Sequence, residues 1–172
     1  MCIRDRGACE KYHGAVIDHA GRNDTRVFRE VKELGTELEK LGDTFLEGRT
    51  PSEVAILYDW DNWWAVEYSA GPSVRMKYMD AVKDYYTAAF EQNVPVDIIG
   101  VEDDLSKYKV VIAPLLYMTK TGYDEKIRSY VRNGGTFITT YFSGIVNEHD
   151  LVTPGGYPGN LRDILGIWVE EQ

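Results

Sequence analysis

The sequence predicts an α/β protein, a parallel sheet with helices on both faces and one long helix ahead of it. Three observations carry this. Short, almost wholly apolar runs recur at Val54–Tyr58, residues 94–99, Val110–Ala113 and residues 136–142, and such runs mark strands buried on both faces. Segments of helical period lie between the runs. The alternation starts only near residue 50, after residues 42–52, whose Gly48 and Pro51 read as a linker. From there the expected architecture is flavodoxin-like, the doubly wound arrangement also called class I glutamine amidotransferase-like.

The elements follow in order. A helix is expected over residues 24–41, capped by Asn23 or Asp24 and stopped by Gly42. Val27, Phe28, Val31, Leu34, Leu38 and Leu41 recur along it at steps of three and four. The first strand leads into a tryptophan-rich segment, residues 59–73, expected to be a long loop. Pro72 and Ser73 should open the next helix, with Met76, Met79, Val82, Tyr86 and Ala89 on one stripe. After the second and third strands, residues 123–131 are helical and Gly134-Gly135 closes them. The tail is loop with a short helix over residues 160–165.

Composition excludes several classes. The 172 residues, 44% hydrophobic and 27% charged, suffice for one globular core. No stretch approaches the ~18 uninterrupted apolar residues of a membrane-spanning helix. A net charge of −9 without a basic stripe argues against nucleic acid and anionic membranes as partners. The two cysteines, Cys2 and Cys9, exclude a disulfide framework and point to a reducing compartment.

Open parallel sheets bind ligands beyond the carboxyl ends of their strands. A phosphate site there needs glycines and hydroxyls after the first strand, whereas this chain has Tyr58-Asp59-Trp60-Asp61-Asn62-Trp63-Trp64. Carboxylates and bulky rings repel and block an anion. A phospho-acceptor receiver needs an acid after the third strand and a lysine after the last, but Ala113-Pro114-Leu115 and Phe142-Ser143-Gly144 stand there. A cysteine nucleophile is excluded because no cysteine follows position 9. Cys9, Glu10, His13 and His19 match no zinc spacing, so neither a metal nor another cofactor is expected. Ser143 lacks a His–Asp partner and reads as a turn residue. Trp60, Trp63 and Trp64 suit stacking on sugar rings or, the preferred reading, an interface between proteins.

The order of several segments resembles glycoside hydrolase family 42, the β-galactosidases. Gly7-Ala8-Cys9-Glu10-Lys11-Tyr12-His13-Gly14 is similar to the end of that family's catalytic barrel, and Thr25-Arg26-Val27-Phe28-Arg29-Glu30-Val31 to its last helix. Ala55-Ile56-Leu57-Tyr58-Asp59-Trp60-Asp61-Asn62-Trp63-Trp64-Ala65 resembles the opening of the middle domain. Val111-Ile112-Ala113-Pro114, Gly134-Gly135-Thr136, residues 143–151 and Gly155-Gly156-Tyr157-Pro158-Gly159 continue the likeness.

The resemblance implies a (β/α)8 barrel, an α/β trimerisation domain and a small β domain. The implied activity is hydrolysis of terminal β-D-galactosides with retention, by two glutamates held ~5–5.5 Å apart. Both lie upstream of the Gly-Ala-Cys-Glu motif, so the chain is expected to lack them and to be inactive alone. Glu10 and His13 match the family's motif residues that hydrogen-bond galactose hydroxyls. Trp60, Trp63 and Trp64 are implied to serve a trimer interface, a pocket wall, or both. The implied organisation is a non-native leader over residues 1–6, the barrel's last loop and helix over 7–45, a linker over 46–52, and an α/β trimerisation domain over 53–172, incomplete at its C-terminus. A cytoplasmic homotrimer is the expected parent. The rival is an autonomous, non-catalytic α/β binding or assembly module.

Overall fold

The computed structural model describes residues 16–18, 20–71 and 73–171. The chain divides into two compact units between Arg49 and Thr50.

The first unit contains α1, Arg26–Phe45. Its cap is Thr25, whose hydroxyl accepts the Phe28 N–H at 3.2 Å. Neither Asn23 nor Asp24 fills that role. Gly42 does not stop the helix either. It sits in open space within the last turns, where a glycine costs about 1 kcal/mol relative to alanine, and propagation along a 20-residue helix absorbs that cost. The apolar stripe therefore extends one step past Leu41, to Phe45. Val27, Val31, Leu34, Leu38, Leu41 and Phe45 are all exposed, and α1 buries none of its residues.

The second unit is a four-stranded sheet in the order β2-β1-β3-β4, every pair parallel. The strands are β1 (Val54–Tyr58), β2 (Val96–Gly100), β3 (Val110–Ala113) and β4 (Thr136–Thr139). In register, Ile56 lies beside Ile98 on one side and Ile112 on the other, and Ile112 lies beside Ile138. The helices are α2 (Trp60–Tyr68), α3 (Tyr78–Glu91), α4 (Tyr123–Arg132) and the one-turn α5 (Arg162–Leu165).

Alternation along β1 builds two cores. Ala55 and Leu57 face a cluster with Leu105, Ile127, Tyr130 and Leu161, on the side of α4 and α5. Ile56 faces the other cluster, with Val66, Tyr78, Val82, Leu115 and Ile145, on the side of α2 and α3. This is the expected flavodoxin-like architecture with helices on both faces.

Four boundaries differ from expectation. The tryptophan-rich segment is helical, not a loop. The following helix begins at Tyr78, because the Ser73 hydroxyl accepts the Arg75 N–H and holds a turn there. The second strand begins at Val96, after a turn in which Val94 N–H reaches back to Ala89 O at 3.0 Å. β4 ends at Thr139, whose hydroxyl donates to Ala113 O at 3.0 Å while the Thr140 hydroxyl accepts the Leu115 N–H at 2.8 Å. These side-chain bonds replace the ladder and end the strand. Among the described residues β4 pairs on one side only, and a groove of about 640 Å³ lies beside it, lined by Phe137, Phe142, Leu165, Ile167 and Val169.

Gly144 fastens the tail to the sheet. It adopts a left-handed φ of 67°, and a Cβ there would strike the backbone oxygen of Pro158. Neither the conformation nor the clash can be relieved by a side-chain rotation. Gly144→Ala should therefore lower unfolding stability by about 2–4 kcal/mol, read as a lower urea midpoint; an unchanged midpoint would contradict this packing.

Candidate functional site

In this strand order the switch point lies between β1 and β3, whose following connections depart in opposite directions. There the crevice of a doubly wound sheet opens. Asp59 follows β1 and caps α2, its carboxylate accepting the Asp61 N–H at 3.2 Å. The helix then turns Asn62 directly into the crevice. The amide is fully buried, donates to Leu115 O at 2.8 Å and accepts the Met118 N–H at 2.8 Å. Leu115 itself holds a left-handed φ of 44°, a strain of about 1–3 kcal/mol that the bonds from Asn62 and Thr140 hold in place. The crevice is filled by protein.

Charges surround this plug. Lys120 Nζ lies 2.9 Å from Asp59 Oδ1 and 2.8 Å from Asp61 Oδ2. Burial disfavours its charge, but the hydrogen bonds to Asp61 and Asp59 outweigh that and raise its pKa. The Asp59 N–H donates to the Tyr78 hydroxyl at 3.1 Å, which donates on to Leu57 O at 3.4 Å. Burial pushes the Tyr78 and Tyr123 hydroxyls far up, so both stay protonated. Asp59 Oδ2 and the Tyr123 hydroxyl are buried with no hydrogen-bond partner among the described residues.

At the other end of α2, Glu67 accepts from the Trp63 indole N–H at 2.9 Å, the Tyr78 N–H at 3.0 Å and Lys77 Nζ at 3.3 Å. Burial opposes ionisation of Glu67; the bonds from Tyr78, Trp63 and Lys77 overcome it and hold the carboxyl below its ordinary value.

These ties leave one face of α2 outward. Trp60, Trp64 and Tyr68 follow one another at steps of four and are 56%, 51% and 73% exposed. Trp63 is half-buried against the core. The Trp60 ring lies 5.4 Å from that of Trp63, 6.3 Å from that of Trp64 and 5.2 Å, edge to face, from that of Tyr58. The three tryptophans singled out in the sequence thus divide into one that packs inward and two that form an exposed aromatic face. Such a face can stack on a flat apolar surface or bury itself in an interface.

Ser143 is buried, with its hydroxyl 2.6 Å from that of Thr139, and belongs to the bonds that end β4. Glu10 and His13 lie outside the described residues, as do Cys9 and His19. Among the described residues no group of His, Cys, Asp and Glu is placed to hold a metal, and no helix is long and apolar enough to cross a membrane. Sequence reasoning missed Asn62, Glu67, Tyr78 and Lys120. The one available signal was Asp59 as a helix cap ahead of Trp60.

Residues 52–172 match the family model described as β-galactosidase trimerisation domain. The chain belongs to this family. Residues 3–41 match a second glycoside hydrolase family 42 model, described as β-galactosidase. The chain is 61% identical over 168 residues to a β-galactosidase of Planococcus sp. strain L4, covering 98% of this chain and 25% of that protein. It is 53% identical over 165 residues to one of Lactobacillus acidophilus, covering 96% of this chain and 25% of that protein. Among solved structures, the β-galactosidase of Bacillus circulans sp. alkalophilus matches with a TM-score of 0.82 and 60% identity, over 98% of this chain and 25% of that one. The family 42 chain thus spans about a quarter of the length of the curated relatives it matches.

In this family 42 chain the Glu67 bonds have a defined pH dependence. Because the folded-state pKa is depressed, their stabilisation is present above the ordinary value of 4.5 and is lost as pH falls through the lower folded value. Tryptophan emission should therefore change as the chain is acidified below pH 4.5. Glu67→Gln should show the altered emission already at neutral pH and flatten that part of the titration; an identical titration in the variant would contradict the assignment.

Proposed function

We propose that the chain is a section of a retaining β-galactosidase that removes terminal β-D-galactosyl residues and works as a cytoplasmic homotrimer. The observation that carries this reading is the 61% identity to a β-galactosidase across 98% of the chain. On this reading residues 7–45 are the end of the catalytic barrel, residues 46–52 a linker, and residues 53–172 the assembly domain. Glu10 and His13 bind galactose hydroxyls, the carboxylate accepting and the imidazole pairing beside it. Both catalytic glutamates belong to the longer protein, outside this chain.

Within the assembly domain, the face of Trp60 and Trp64 is the contact made with a neighbouring subunit, near the mouth of that subunit's sugar pocket. Its support is the pair of half-exposed indoles on a helix tied down at both ends. Large aromatic anchors on a rigid frame are what interfaces favour. Trp63, packed inward, supports the other two.

Two experiments test this. The 172-residue chain should show no turnover of a chromogenic β-galactoside above a buffer blank, while the longer protein hydrolyses it; turnover by the chain itself would sink the assignment of the catalytic pair. In the longer protein, Trp60→Ala with Trp64→Ala should weaken subunit association by at least about 2 kcal/mol, roughly thirtyfold. Sedimentation velocity over a dilution series measures this, and a trimer as resistant to dilution as the parent would count against the contact.

A further inference from the structure

Lys120 holds both chain neighbours of Trp60. Its ammonium reaches Asp59 Oδ1 and Asp61 Oδ2 at 2.9 and 2.8 Å, so one side chain binds the carboxylates on either side of the first exposed indole. Lys120 stands on a fixed base. Its carbonyl accepts the Tyr123 N–H at 3.0 Å, and the adjacent Thr119 N–H donates to Val146 O at 2.9 Å. Asn62 fixes the depth of α2 in the crevice and Glu67 fixes its far end. A nine-residue helix has little stability of its own, so its orientation is set by such ties.

We propose that Lys120 is a positioning residue for the aromatic face of α2, directing Trp60 and Trp64 outward by bridging Asp59 and Asp61. The use of that face as a subunit contact rests on the function proposed above; the positioning does not.

Of the four tryptophans, three lie on α2. In a Trp168→Phe background they alone give the indole signal, and rings 5.4 and 6.3 Å apart at 44° and 46° couple in circular dichroism. Lys120→Met should abolish the tryptophan couplet, and Lys120→Arg should restore it, because a guanidinium spans two carboxylates. Lys120→Met also strands the buried Asp59 charge. A second variant, Lys120→Met with Asp59→Asn and Asp61→Asn, removes that burden, and the carboxamide oxygen introduced by Asp59→Asn still caps the helix. Loss of the couplet in this variant, with far-ultraviolet dichroism unchanged, is the expected result. A folded variant that keeps the full couplet would overturn the proposal. Loss of the couplet with undiminished subunit association in the longer protein would leave the positioning role standing and remove the subunit-contact reading.

Discussion

A polar side chain with no access to water must find its partners inside the protein, and the amide of Asn62 finds them on either side of the β3 exit, at Leu115 O and Met118 N. Each buried group left unpaired costs about 1–3 kcal/mol, so this amide fixes the loop after β3 and the helix after β1 to each other. The left-handed turn at Leu115 depends on it. So does the placing of Lys120 opposite Asp59 and Asp61, because Met118 and Lys120 belong to the same loop. From these contacts the outward direction of α2 follows.

The same amide decides what the sheet does. A doubly wound domain that binds a nucleotide keeps its switch-point crevice open and lines it with backbone N–H groups. Here the crevice holds Asn62, with a lysine and two aspartates beside it. The crevice that elsewhere takes a small molecule here takes a helix, and the face that α2 shows outward is aromatic.

Most of the fold was legible. β1 and β3 are apolar runs with sharp ends, and both strands fall where the residues place them. α2 was not legible, because its polarity is reversed: Asn62 is buried while Trp60 and Trp64 are exposed. Periodicity assumes that apolar side chains point inward, and this helix violates the assumption where the candidate site lies. Lys120, far along the chain from Asp61, carried no local signal at all, since an ion pair across a crevice depends on how strands are ordered. The resemblance carried what spacing did not, placing the likeness to a β-galactosidase on residues whose own pattern left several readings open.

The bare stripe of α1 has a consequence for packing. Six apolar side chains from Val27 to Phe45 repeat at steps of four and three, a seam of about 30 Å on a 20-residue helix. Such a stripe is the pattern of a helix built to bury one side against apolar neighbours, so α1 carries in its own sequence one complete half of a packing contact.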